Sequence, residues 1–287
     1  MNIKTILTGL SGRSASSGTC EIACRLAVRF NAQLTALHVR PDFSGTVIAE
    51  GAEGLAAAAS MRSAMDESQR LAARREQAKV NFAETVARHG LTLTEDAETT
   101  ASSTAAWQEK TGDVPTVIAS RARFFDLIVL GRSDRVIDAP HTDAIEQTLI
   151  RSGRPVLLAP AQPPETLGET VAFAWNGSAQ AVRALVAALP FLRPAKQTLV
   201  ITVGDEGTNS SDDLLAYLRI QGVAATLQHV RATGGNLGDR LLGQAHSEGA
   251  DLVVVGGYGH TPWREALFGG TTNDLIGRSL LPLLLAH

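Results

Sequence analysis

The sequence predicts an α/β protein made of two tandem, doubly wound, five-stranded parallel-sheet domains. Three observations carry this. Short apolar runs alternate with amphipathic stretches, the runs are apolar throughout rather than at every second residue, and the chain repeats itself. Strands covered on both faces lose the polar alternation of half-exposed strands, and parallel neighbours need helical crossovers between them. The repeat is plain at the ends of the halves. "RFFDLIVLG", ending at Gly131, matches "EGADLVVVG", ending at Gly256, and "RSGRPVLLAP" from Arg151 matches "RSLLPLLLAH" from Arg278.

In chain order, "TILTGLSGRS" from Thr5 reads as a strand, a polar turn containing glycine, and the start of a helix. That helix carries the two cysteines, Cys20 and Cys24, four apart on one face and read as small core residues rather than a redox or metal pair. Between Gly45 and His89 the alanine-, glutamate- and arginine-rich sequence predicts an extra helix, with Gly90 as its stop. Trp107 and the pair Phe124-Phe125 read as packing residues. The proline-rich "PAQPPETLGE", Pro160 to Glu169, suits neither helix nor central strand, which sets the domains at 1–162 and 163–287. In the second half, "TVAFAW", "TLVITV", "AATLQHV", "DLVVVG" and "LPLLLAH" read as strands, with helices from Ser178, Ser210, Asn236 and Thr271. "PVLLA" (Pro155 to Ala159) and "PLLLA" (Pro282 to Ala286) are apolar edge strands expected to cover one another across an internal pseudo-twofold axis.

Composition narrows the function. Of 287 residues, 44% are hydrophobic and 19% charged, with a formal charge of −3, the profile of a globular protein. No lysine- or arginine-rich stripe offers a nucleic acid the cations that displace its counterions. No run of some 18 apolar residues and no signal-peptide cleavage pattern is present, so no membrane partner and a cytoplasmic location are expected.

The candidate site is "GGYGHTPWREALFGGTTND", Gly256 to Asp274. In doubly wound sheets ligands bind at the carboxyl ends of the strands, beside the switch point. This stretch follows the fourth strand of the second half and leads into a helix, whose unpaired N-terminal amides suit an anion such as phosphate. Glycines let backbone approach closely, and the threonine hydroxyls add donors. The same residues also fit a plain turn at Gly269-Gly270 and a capping box from Thr271 to Asp274.

Gly256-x-x-Gly259, nine residues, then Gly269 resembles the G-x-x-G-x9-G-[S/T] signature of ATP-binding universal stress proteins, and two such units resemble their tandem subclass. "AWNGS" after the first strand of the second half and "LHV" in the first half extend the likeness over nearly the whole chain. The resemblance implies strand order 3-2-1-4-5, pairing through the fifth strands, and ATP, with or without Mg2+, as ligand. It assigns nucleotide contacts to Asn176, Val203, Gly256, Gly257, Gly259, His260, Gly269, Gly270, Thr271 and Thr272, with Val203 at the adenine edge. Two departures stand out. Gly270 follows Gly269, so Thr271 or Thr272 must supply the hydroxyl, and the family's aspartate after the first strand is Asn176 here and Ser11 in the first half. The first half also has Asp134 opposite Gly259 and carries Asp143 and Glu146 toward its fourth helix, carboxylates that repel phosphate. It is read as degenerate for ATP.

The implied function is a stress-response protein that binds an adenine nucleotide in its second domain and acts as a nucleotide-dependent switch on an unknown protein partner. It would be an internal pseudo-dimer, with a homodimer as a further assembly. No catalytic residue or protein metal site is assigned. Two alternatives stay open: a slow ATPase or adenylating enzyme, since "SGRS" shares residues with the S-G-G-x-D-S loop, and a ligand-free interaction module.

Overall fold

A computed structural model describes residues 2–12, 15–41, 55–95, 103–132, 139–203, 211–231, 237–257 and 279–287. The N-terminal half runs β1 (Thr5–Gly9), α1 (Ala15–Phe30), β2 (Gln33–Arg40), α2 (Leu55–Arg88), β3 (Thr92–Thr94), β4 (Thr104–Thr111), α3 (Val114–Ala122), β5 (Leu127–Gly131), α4 (Ala139–Ser152) and β6 (Val156–Ala159). The C-terminal half runs β7 (Thr170–Ala174), α5 (Ala179–Leu192), β8 (Gln197–Val203), α6 (Ser211–Ile220), β9 (Ala225–Val230), α7 (Leu237–Ser247), β10 (Leu252–Gly256) and β11 (Leu283–Ala286). The helix expected from Thr271 lies outside the described residues.

All these strands form one 11-stranded sheet in the order β3-β4-β2-β1-β5-β6-β11-β10-β7-β8-β9. Neighbours are parallel except β6 and β11, which pair antiparallel with Leu283 opposite Leu158 and Leu285 opposite Val156. The C-terminal half thus has the 3-2-1-4-5 order, and the fifth strands meet as expected. The N-terminal half departs from the five-strand expectation by one edge strand, β3, parallel to β4. Its alternating threonines suit a pleated edge, but three residues are too few to show a period.

One face of the sheet packs α1, α2, α5 and α6 through Leu26, Phe82, Phe191 and Leu218. The other packs α3, α4 and α7 through Ile118, Leu149 and Leu241. Cys20 and Cys24 are buried and unbonded to each other covalently. The hydrogen bond with Cys20 and burial both push the Cys24 thiol up, so it stays protonated and packs as a small core residue. Of the Phe124-Phe125 pair only Phe125 packs; Phe124 is 72% exposed, because consecutive residues at a helix exit point in different directions.

Helix ends follow local chemistry. α2 stops at Gly90 and α6 at Gly222, both at positive φ, and Leu91 N donates to Val86 O as Val223 N donates to Leu218 O. Each half is also pinned by an aspartate just before its fourth-position strand. Asp126 accepts from the backbone of Lys4 and Thr5, and Asp251 from that of Gly168, Glu169 and Thr170.

The connection between the halves is held by α1. Arg25 donates to the carbonyls of Pro164 (2.6 Å) and Glu165, and Arg29 donates to that of Leu167. Arg29 also lies over the rings of Phe30 and Phe191, which meet edge to face at 5.1 Å across the halves. Among the described residues, no helix is long and apolar enough to cross a membrane.

Candidate functional site

In the C-terminal half the chain leaves β7, builds β8 and β9 on one side, then crosses to β10 on the other. The carboxyl edge between β7 and β10 is therefore the switch point. Val203 ends β8, Gly256 ends β10, and Asn176 lies two residues beyond the end of β7, so topology gathers them at one edge. Gly257 continues that edge by donating its N–H to Ala286 O at 2.7 Å. Gly259, His260, Gly269, Gly270, Thr271 and Thr272 lie outside the described residues, as does Asp134.

The loop after β7 is ordered by its own side chains. Asn176 Oδ1 accepts from Ser178 N (3.1 Å), Gly177 takes φ +73°, and Ser178 Oγ caps α5 by accepting from Ala181 N (3.2 Å). The bond from an N–H identifies the Asn176 oxygen, leaving its amide nitrogen as a donor. The first turn of α5 abuts Gly256, where an added Cβ would stand 2.5 Å from Ala181 N. At Gly257 it would stand 2.9 Å from Leu149 Cδ2 of α4. At Gly256 the obstacle is backbone, so packing within the protein demands the glycine there, a reason the sequence does not reveal; at Gly257 it is only the end of a leucine side chain.

Trp175 escaped the sequence reading because it looks like the last apolar residue of a strand. Its side chain is 6% exposed, tilted against Phe173 at 5.9 Å, and its indole Nε1 has no partner among the described residues. A buried donor left unmet costs about 1–3 kcal/mol, so it marks a place where an acceptor would be stabilised.

The same edge of the N-terminal half is built differently. Ser11 stands where Asn176 does, and its N–H and hydroxyl both meet Ser16 Oγ at 3.3 Å. Gly12 repeats the positive φ of Gly177, but a Cβ there would run into the Arg74 carbonyl of α2. His38 Nδ1 meets Leu10 O at 2.8 Å and its ring stacks on Trp107, whose Nε1 donates to Glu109. That hydrogen bond, with the Arg75 charge beside it, holds the Glu109 carboxyl below its ordinary value despite burial. Trp107 is thus committed to packing. Asp143 is exposed and Glu146 half-buried on α4.

Set against known families, residues 202–287 match the universal stress protein family. Over that stretch the chain is similar to a universal stress protein domain. The matched stretch takes in Val203, Gly256 and the glycine-rich segment after it. A universal stress protein from Archaeoglobus fulgidus shares the fold with a TM-score of 0.70 and 16% identity over 98% of this chain and 95% of that one. A functionally unknown protein from Pseudomonas aeruginosa does so with a TM-score of 0.53 and 16% identity over 99% and 92%. No curated protein sequence matches. The matched stretch runs from the end of β8 to the end of the chain, within one of the two halves that share a single sheet.

Proposed function

We propose that the C-terminal half, 163–287, binds ATP or a related adenine nucleotide and that occupancy alters the contacts of the chain with a protein partner in a cytoplasmic stress response. The observation that carries this is the juxtaposition of Asn176, Val203 and Gly256 at the carboxyl ends of three adjacent strands, at the switch point. The indole N–H of Trp175, which has no partner among the described residues, and the donor left on Asn176 support a polar ligand there. In this reading Val203 backbone meets the base, while Gly257, Gly259, His260, Gly269, Gly270, Thr271 and Thr272 surround the phosphates. These residues fit a nucleotide better than a protein-held magnesium, because Asn176 offers no negative charge; any Mg2+ would be held by the phosphates. When bound, the nucleotide would supply an anionic group for the backbone amides and hydroxyls to meet.

The N-terminal half, 1–162, acts as companion without nucleotide. Titration calorimetry with ATP and Mg2+ is expected to give about one site per chain, and Gly259→Asp to abolish it by setting a carboxylate against phosphate. Two equivalent sites, or none, would overturn the reading. Uniform binding of ground and transition state gives affinity without turnover, so steady-state hydrolysis is expected far below ~1 per second.

A further inference from the structure

We propose that Arg132 is a positioning residue that ties the turn before β11 to the N-terminal half and thereby sets the nucleotide affinity of the C-terminal half. The link to affinity rests on the nucleotide reading above; the tie itself does not.

In the register of the repeat, Arg132 is the mate of Gly257. Each follows the glycine that ends its strand, and each donates its backbone N–H to the alanine that ends the next: Arg132 N to Ala159 O at 3.0 Å, Gly257 N to Ala286 O at 2.7 Å. From these matched places the halves diverge. Gly257 sends no side chain across the seam. Arg132 does: its Nη2 donates to Ser279 O at 2.7 Å and to Leu281 O at 2.8 Å, and the residue is 2% exposed. The turn it grips is built the same way in both halves. Leu281 N donates to Ser279 Oγ at 3.2 Å, as Arg154 N donates to Ser152 Oγ at 3.1 Å. A shared serine motif forms the turn, and an arginine from the other half clamps it.

A guanidinium keeps its charge at all ordinary pH, and burying it costs desolvation that an apolar side chain of similar size would avoid. Orientation therefore explains the arginine better than stability does. One nitrogen bonded to two carbonyls sets the spacing between them, and with it the angle at which the chain enters β11. In sequence, the stretch from Gly257 to Ser279 contains Gly259, His260, Gly269, Gly270, Thr271 and Thr272. Both of its ends are anchored at the seam: Gly257 on Ala286, Ser279 on Arg132. β11 connects the two: Arg132 grips the turn before it, and Ala286 at its end accepts from Gly257 N, so a shift of the clamp is passed to Gly257, which the nucleotide reading sets beside phosphate.

The test compares wild type, Arg132→Met and Arg132→Lys in the full chain, by hydrogen exchange at the amides of 281–286 and by ATP titration. Arg132→Met is expected to exchange about tenfold faster there, with β1 and β7 unchanged, and to bind ATP about tenfold more weakly, with Arg132→Lys in between. Exchange and affinity both within about twofold of wild type would overturn the proposal. Faster exchange with unchanged affinity would overturn the coupling and leave a structural prop. If wild type takes up no ATP, the nucleotide reading fails, and the exchange comparison alone decides the tie.

Discussion

Leu284 faces Leu157 at the centre of the antiparallel seam, and this pair joins two parallel half-sheets into one. Both are fully buried, so the seam is also core. Leu284→Ala is expected to cost about 2–5 kcal/mol. Deleting residues from Pro282 onward removes β11 and bares the edge of β6, an invitation to edge-to-edge association. Size-exclusion chromatography should show oligomer or precipitate; a monodisperse, folded monomer would count against the pairing as the guard of that edge.

Two glycines should respond to alanine with opposite signs. At Gly256 the new Cβ meets the backbone of Gln180 and Ala181, which cannot swing aside, and a loss of at least ~1–3 kcal/mol is expected. At Gly243 in α7 a Cβ meets nothing within 4 Å, so alanine should gain roughly 0.5–1 kcal/mol of helix stability. Urea unfolding of both variants measures this. Equal midpoints would show that the close approach at Gly256 relaxes freely.

Asp251 gathers three backbone N–H groups, from Gly168 at 2.8 Å, Glu169 at 3.0 Å and Thr170 at 3.2 Å. Asp251→Ala strands all of them where β7 begins, at an expected cost of roughly 3 kcal/mol, and Asp251→Asn, which keeps one acceptor oxygen, should lose less. A denaturation midpoint unmoved in Asp251→Ala would remove the pin from the account.

Glu21 on α1 accepts from Arg25 Nε and His89 Nε2, each at 2.9 Å, with Arg88 Nη1 at 3.4 Å. Burial pushes its carboxyl up, but the hydrogen bonds and charges of Arg25 and His89 outweigh that and hold it below its ordinary 4.5. A value depressed by folding stabilises the fold above pH 4.5 and loses that contribution as pH falls through the folded value. Between neutral pH and the acid range, stability of wild type should therefore drop more steeply than that of Glu21→Gln. Parallel pH profiles would contradict the assignment.

Much of this architecture was legible in the residues themselves. Continuous apolar runs such as "DLVVV" announce strands buried on both faces, Gly90 announces a helix stop, and the matched endings "PVLLA" and "PLLLA" announce edges that need covering. Each is a local property, because burial on two faces, a positive φ and an unpaired edge leave their marks within a few residues. That Asn176, Val203, Gly256 and Gly257 lie at one carboxyl edge of the sheet was legible from the strand-like runs and the repeat.

The rest depends on partners far away in the chain. The carboxylates of Asp126 and Asp251 look like ordinary strand-flanking polar residues until the backbone of Lys4 or Gly168 arrives beside them. Gly256 reads as a ligand-binding glycine, yet α5 already fills the space its missing Cβ leaves. Trp175 hides among apolar neighbours, and packing seals its N–H from water with no partner among the described residues. Arg132 follows the glycine that ends β5, and only the antiparallel seam brings the carbonyls of Ser279 and Leu281 within its reach. Periodicity states which segments are buried, but hydrogen-bond partners more than eighty residues apart are chosen by how the buried segments stack, and that choice has no local signature.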